Sequence, residues 1–187
     1  MKIDRPLWSA GALLCPQQFQ QQARWEAWAN ESVARLSRAH PWGVQAVGFD
    51  PLALRQGKLK ATCLKVRMPD GTLIDTENAD RLPPALELDR LLADEQGSVV
   101  LVLAVPLEQA NGGNCVLDDD VAERPVRYRR DWRRVQDLYG DDRQEMGVLE
   151  HCLSVRLEND ENADYVTCPI VRLARDGQGQ WMLDQRY

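Results

Sequence analysis

The hydrophobic pattern is helical near the start of the chain and becomes near-alternating from Gly43 onward. Between Pro16 and Leu36, apolar side chains recur every three to four residues, which predicts an amphipathic helix with Pro16 in its first turn. We expect this helix to span residues 16–38, because His40 precedes Pro41 and a residue before proline avoids helical backbone. Its apolar face can pack on its own domain, as most helices do, or contact a neighbouring subunit.

The alternation after Gly43 predicts a mainly β body. In the segment Lys58–Met68 the apolar side changes between Cys63 and Leu64, which is typical of a β-bulge or of a strand that crosses between two sheets. Pro69-Asp70-Gly71 then predicts a tight turn into a strand at Thr72–Asp75, because proline presets φ and glycine accepts a positive φ.

The remaining chain predicts a series of short strands with turns between them. A strand at Ser98–Val105 is apolar on both faces and should be central, and a short helix is expected at Ala85–Ala93 with Leu88, Leu91 and Leu92 inward. Seven or eight strands in this arrangement indicate a β-sandwich or barrel. The other predicted strands are Arg127–Leu138, Val148–Leu157, Tyr165–Leu173 and Gln180–Asp184, and the predicted turns are Asn111–Asn114, Glu158–Asp164 and Asp176–Gly179.

Composition and charge narrow the class of protein. The 187 residues carry 23 Lys plus Arg against 29 Asp plus Glu, and the net charge of −6 disfavours a general nucleic-acid binder because it repels phosphate backbones. The longest apolar run, Val99–Val105, is far shorter than a membrane-spanning helix, and the amino terminus lacks a secretory signal pattern. We therefore expect a cytoplasmic protein with no direct membrane insertion.

Residues that could carry chemistry are few. The five cysteines include no C-x-x-C pair, which argues against a disulfide framework or a structural zinc site. His151 should share a strand face with Leu149 and Val155 while Cys152 points away, so the two cannot form a dyad. The acidic turn Glu158–Asp164 resembles the start of a calcium loop but lacks the required glycine and glutamate. We predict no catalytic residue, cofactor or metal.

One basic block, Arg124–Arg134, interleaves arginines with Tyr128 and Trp132. Such a mixture can clamp single-stranded nucleic acid, but Asp131 and the acidic chain around it weaken that interpretation. Arginine beside aromatic residues is also typical of protein interfaces, which is the interpretation we favour.

A set of short motifs is distributed along the chain. The most specific of them is Pro16-Gln17-Gln18-Phe19-Gln20-Gln21. The others are Leu7-Trp8, Gly11, Leu14, Pro41-Trp42-Gly43, Pro69-Asp70-Gly71-Thr72, Pro83-Pro84, Arg127-Tyr128, Tyr165–Pro169 and Leu183-Asp184. Together these motifs resemble the amino-terminal domain of TssK, the family of type VI secretion baseplate subunits, over essentially the whole chain. Many members of that family carry histidine at the position of Gln18.

The resemblance implies a scaffold that catalyses no reaction. It implies an arm at residues 1–15 and a sandwich like the shoulder of phage receptor-binding proteins at residues 16–187, with neck and head domains absent from this chain. The full-length protein would be a homotrimer at the cytoplasmic face of the inner membrane. The first domain would bind the wedge proteins TssF and TssG, and the missing head would contact TssL and TssM of the membrane complex.

We expect the apolar and aromatic residues near the start of the chain to contact a protomer or a baseplate partner, because large exposed apolar patches mark interaction sites. These residues are Leu7, Trp8, Leu13, Leu14, Phe19, Trp25 and Trp28. The alternative is a carbohydrate- or ligand-binding sandwich of a phage-like receptor-binding protein, in which the six tryptophans would supply stacking platforms.

Overall fold

The computed structural model describes residues 3–88, 97–117, 120 and 122–184, and within these residues the chain is mainly β. The helices are α1 (Pro16–Ser37) and α2 (Pro51–Arg55). The strands are β1 (Gly43–Phe49), β2 (Lys58–Leu59), β3 (Ala61–Arg67), β4 (Leu73–Asp75), β5 (Leu86–Glu87), β6 (Ser98–Pro106), β7 (Cys115–Val116), β8 (Tyr128–Gln136), β9 (Arg143–His151), β10 (Ser154–Leu157), β11 (Tyr165–Arg175) and β12 (Trp181–Leu183).

Two antiparallel sheets enclose the hydrophobic core, as the predicted sandwich requires. The strand order is β1-β3-β4 in one sheet and β10-β6-β11-β12 in the other. Both sheets supply side chains to a single cluster, which includes Leu64 and Ile74 from the first and Leu103 and Leu173 from the second. Burial of these side chains, each worth about 1.5–3 kcal/mol, is the main source of the fold's stability.

The predictions for β6 and β3 are confirmed. The stretch Leu101–Val105 is at most 2% exposed, because β6 lies between β10 and β11 and is covered on both faces. In the first sheet the adjacent residues Gly48 and Phe49 pair with Cys63 and Ala61, so Thr62 is an extra residue in β3. This bulge produces the change of apolar side that the sequence shows.

The turn before β4 also forms as predicted. Gly71 has a φ of +89°, and its amide donates to the Met68 carbonyl over 2.9 Å. The Asp70 side chain accepts a hydrogen bond from the Thr72 amide at 3.0 Å. This turn lies beside α1, because the nearest atoms to the place of a Gly71 side chain belong to Glu31.

The single strand predicted at Val148–Leu157 is wrong, because the chain breaks there into two strands of different sheets. His151 ends β9, which pairs with β8, whereas Ser154 begins β10, which pairs with β6. Leu149 is consequently 63% exposed while Val155 is 6% exposed, so these residues and His151 do not share one face. The acidic turn Glu158–Asp164 is not a hairpin loop either, since β10 and β11 lie on opposite sides of β6.

Two short elements differ from expectation. The helix α2 begins where the side chain of Asp50 accepts hydrogen bonds from the amides of Leu52 and Ala53, a capping signal that the alternating pattern obscured. Within the helix predicted at Ala85–Ala93, residues 86–87 form β5 and pair with β2. Leu88 is buried as expected, and Leu91 and Leu92 lie outside the described residues.

A candidate protein-docking surface

The long helix α1 carries no buried residue along its 22 positions. It begins as predicted, with Pro16 in the first turn and a capping box in which the Gln18 side chain accepts from the Cys15 amide at 3.0 Å. It ends at Ser37, one residue before the predicted end. A helix that packed its apolar face on its own domain would bury that face, so this usual arrangement does not hold here.

The helix is held to the sandwich by charged side chains instead. Arg24 forms an ion pair with Glu108 at 2.8 Å, and Glu31 pairs with Arg67 of β3. Arg35 bonds Glu31 at 2.7 Å and donates to the Pro69 carbonyl at 3.2 Å. These contacts fix the position of α1 while leaving Phe19 and Trp28 exposed.

The amino-terminal arm folds back along α1. The Asp4 carbonyl accepts a hydrogen bond from the Gln21 side chain at 2.8 Å, and the Arg5 guanidinium lies 4.6 Å from the centre of the Trp25 ring. The rings of Trp8 and Phe19 pack with their centroids 5.9 Å apart. The arm and helix therefore form one unit, which we call the arm–helix surface.

Most of the predicted interface residues are exposed on the arm–helix surface. Leu7 and Leu13 are more than four-fifths exposed, whereas Trp25 differs because it is half-buried beneath Arg5. The other predicted residues, Trp8, Leu14, Phe19 and Trp28, are about half to two-thirds exposed. Val33 and Leu36 are also exposed and were missed, although they belong to the same helical stripe. So much uncovered aromatic and aliphatic area is typical of an interaction site.

Glu31 is the central charge of the helix attachment. Burial opposes ionisation of its carboxylate, but hydrogen bonds and charge from Arg35 and Arg67 outweigh that effect and lower its pKa. A carboxyl with a lowered pKa in the folded state stabilises the fold above its ordinary pKa and loses that contribution as the pH falls. The attachment of α1 should therefore weaken in acid, below about pH 4.

Replacing Glu31 with glutamine should lower the free energy of unfolding at pH 7 by about 1–2 kcal/mol, because charge-assisted hydrogen bonds to two arginines become neutral ones. The loss should shrink as the pH falls, and urea unfolding at pH 7 and pH 3.5 measures both values. Glu26→Gln, on an exposed position of the same helix, is the control and should change stability by less than about 0.5 kcal/mol. Equal losses in the two variants would show that Glu31 does not hold the helix.

Several arginines of the basic block Arg124–Arg134 are bonded within the fold, so the block as a whole is not an open positive patch. Arg127 is 4% exposed and bonds Asp70 and the Pro106 carbonyl, each within 2.8 Å. Arg133 bonds the buried Glu150 at 2.7 Å, as does Arg81. Much of the block thus connects β8 to the rest of the chain, a role that its spacing did not reveal.

The described residues contain a histidine–carboxylate pair, and three of the five thiols are unsuited to act as nucleophiles. His151 Nδ1 lies 2.8 Å from Asp80 Oδ1. Burial raises the pKa of the thiols of Cys63, Cys115 and Cys168, so they remain protonated at neutral pH and are poor nucleophiles. Among the residues with described side chains, no cluster of His, Cys, Asp or Glu is suited to hold a metal ion.

The tryptophans do not share one face, as a sugar-stacking platform would require. Trp181 is 6% exposed in β12, Trp132 lies on β8, and Trp8, Trp25 and Trp28 belong to the arm–helix surface. No helix of the described chain is long and apolar enough to cross a membrane.

The strands β8 and β9 form a second exposed feature, of which the sequence predicted β8 but not the outer part of β9. Its outer part, residues 132–147, has no buried residue, and we call this hairpin the ribbon. Leu138 and Tyr139 at its tip are 96% and 98% exposed. The start of β9 was not predicted, because residues 143–147 are exposed and form no core-facing apolar stripe.

Comparison with known proteins places this geometry in a family. Residues 18–187 match the family model described as bacterial type VI secretion, VC_A0110, EvfL, ImpJ, VasE. The chain is 26% identical to the type VI secretion system baseplate component TssK1 of Pseudomonas aeruginosa over 98% of its own length and 41% of TssK1.

Two solved structures are similar over the whole chain. A chain of the cryo-electron-microscopy structure of a type VI secretion TssK-TssF-TssG baseplate subcomplex is 51% identical, with a TM-score of 0.93 and 61% of that chain covered. A chain of the baseplate complex from the type VI secretion system is also 51% identical, with a TM-score of 0.90 and 41% covered. The present chain thus spans about two-fifths to three-fifths of the relatives that it matches.

Proposed function

The chain belongs to the bacterial type VI secretion family of EvfL, ImpJ and VasE, and on that premise we propose that it is a structural adaptor of a secretion baseplate. In this proposal it binds the wedge proteins TssF and TssG through the arm–helix surface and catalyses no reaction. The observation that carries the proposal is α1, whose Phe19 and Trp28 side chains are exposed while its charged side chains hold it to the sandwich.

The relatives support the choice of partners. The subcomplex that contains the 51% identical chain is a TssK-TssF-TssG baseplate assembly. At that identity and a TM-score of 0.93 the backbone positions available for a shared interface are the same. The exposed Trp8, Phe19 and Trp28 are suitable anchors, because buried aromatic residues dominate the binding energy of protein interfaces.

The wider setting of the protein follows from the same proposal. We place it as a homotrimer at the cytoplasmic face of the inner membrane, with the amino-terminal arm and the sandwich on the baseplate side. Contacts with TssL and TssM belong, in this proposal, to a head domain that lies outside the chain described here.

Co-expression of this chain with TssF and TssG of the same organism tests the proposal. When the chain is captured by an affinity tag on its carboxyl terminus, both partners should co-purify with it and then co-elute with it in size-exclusion chromatography. A folded chain that retains neither partner at micromolar concentration would contradict it. Specific binding of a saccharide on a glycan array, without capture of TssF and TssG, would instead favour the carbohydrate-binding alternative.

A further inference from the structure

The ribbon exposes an apolar tip to solvent, and hydrogen bonds fix the conformation of that tip. The Asp137 amide donates to the Asp142 carbonyl over 2.9 Å, and the Tyr139 amide donates to the Asp137 carboxylate over 3.0 Å. These bonds hold Leu138 and Tyr139 outward at nearly full exposure. A two-stranded hairpin is at best marginally stable by itself, so a ribbon without buried residues is suited to pack against something else.

An open cavity of about 1030 Å³ lies at the base of the ribbon, between β8 and the end of β6. Pro84, Pro106, Val116 and Val126 contribute apolar walls. A small-molecule pocket usually spans about 300–1000 Å³ and is enclosed by mostly apolar walls. This cavity is open, lies at the upper end of that range and is rimmed with arginines. It therefore fits a short protein segment better than a small molecule.

The charges of the cavity and the tip are complementary. Asp131 and Glu150 at the cavity wall are already paired with Arg81 and Arg133. Arg124 bonds the Gly112 carbonyl, and within the described chain no carboxylate lies within ion-pair distance of Arg124 or Arg129. Asp120 also lines the cavity, so the described lining carries four arginines against three carboxylates and keeps a small net positive charge.

The tip carries the opposite charge. Asp137, Asp141 and Asp142 surround Leu138 and Tyr139, and no basic residue occurs between positions 137 and 142. An acidic, apolar tip thus has the chemistry that an apolar cavity with an arginine rim would bind.

The ribbon cannot insert its own tip into this cavity. Trp132 lines the cavity and β8 continues four residues beyond it to Gln136, which carries the tip at least roughly 13 Å away from Trp132 at about 3.3 Å per residue. The occupant with the right charge and shape must come from another molecule.

We propose that the ribbon tip of one copy of this chain inserts into the arginine-rimmed cavity of a second copy. The contact is head-to-tail, so each copy gives one tip and receives another, and a rotation that closes yields a ring. This inference deepens the self-association in the proposed function and is independent of the binding of TssF and TssG.

Photo-crosslinking tests the contact directly. With p-benzoylphenylalanine in place of Tyr139, irradiation of a mixture of isotope-labelled and unlabelled protein should give mixed-label peptides that join position 139 to residues 124–132. The same amino acid in place of Leu73, which is 70% exposed on β4, is the control and should give none. Absence of mixed-label links to residues 124–132 would overturn the proposal, as would links only to a different protein.

Charge reversal supplies an independent test. Asp141→Arg with Asp142→Arg, and separately Arg124→Glu with Arg129→Glu, should each weaken self-association at least tenfold in sedimentation equilibrium. All four substitutions in one chain should restore it, and unfolding curves check that each variant is folded. Association that none of the variants changes would refute the tip contact but leave self-association standing. A chain that stays monomeric at every concentration would refute both.

Discussion

Replacing Arg127 with methionine is expected to lower the free energy of unfolding by about 3–5 kcal/mol, because it breaks a buried ion pair. The guanidinium is 4% exposed and binds three groups at once: Asp70, Thr72 and the Pro106 carbonyl. Methionine fills similar space but leaves these three groups without their donor. Urea unfolding at pH 7 measures the loss.

Arg129→Met is the matched control, because Arg129 is exposed and its loss should cost less than about 0.5 kcal/mol. Comparable losses in the two variants would show that Arg127 is not a central contact. The structural reason to expect a difference is that Arg127 joins the turn before β4, the end of β6 and the start of β8.

The ion pair between Arg127 and Asp70 also predicts how the stability of the fold depends on pH. Burial opposes ionisation of Asp70, but the charge of Arg127 and hydrogen bonds from Thr72 and Arg127 outweigh it and lower the pKa of Asp70. The pair therefore stabilises the fold above the ordinary pKa of aspartate, near 3.9, and this contribution is lost as the pH falls below it. In Arg127→Met the acid-side decline of stability should be shallower than in the unmodified protein.

Replacing Trp8 and Trp28 together with alanine is expected to weaken binding of TssF and TssG at least 30-fold while the chain stays folded. Truncation of a tryptophan at the centre of an interface commonly costs about 2 kcal/mol or more, which corresponds to about a 30-fold change in Kd. The two side chains are about half exposed, so their loss removes little from the core. Biolayer interferometry with the purified TssF–TssG complex measures the two Kd values.

A double variant outside the arm–helix surface serves as control. Leu73→Ala with Met182→Ala removes exposed apolar side chains from β4 and β12, and should leave the Kd within about twofold. If this control weakened binding as much as the tryptophan variant, the arm–helix surface would not be the specific contact.

The sequence predicted best those parts of the fold where the local pattern and tertiary packing coincide. The period of three to four residues marked α1 to within one residue of its end, and the fully apolar run marked β6 as the covered central strand. The turn at Gly71 follows from its need for a positive φ, which few other residues meet without strain.

The errors arise where a local pattern does not specify the partner of a strand. Alternation continues from Leu149 through Val155, yet the chain changes sheet at Cys152, which periodicity does not record. The outer part of β9 was not predicted for a related reason, since residues exposed on both faces carry no core-facing stripe. The role of Arg127 depends on residues up to 57 positions away, which spacing along the chain does not reveal.

The interface residues form a third case. Their apolar character predicted an interaction surface, and the structure leaves six of the seven exposed. The sequence could not indicate that charged residues such as Arg24 and Glu31, rather than the tryptophans, would hold α1 to the sandwich. Most helices pack their apolar face on their own domain, whereas α1 is attached by charged residues and leaves apolar residues exposed. This arrangement is the physical basis of the proposed function.

Hydrogen–deuterium exchange of this chain with and without the TssF–TssG complex tests the central claim most directly. We predict slower exchange on binding in peptides from residues 3–37, with little change in peptides from β4 and β12. Protection confined to other parts of the chain, with residues 3–37 exchanging as fast as in the free protein, would contradict the assignment of the arm–helix surface.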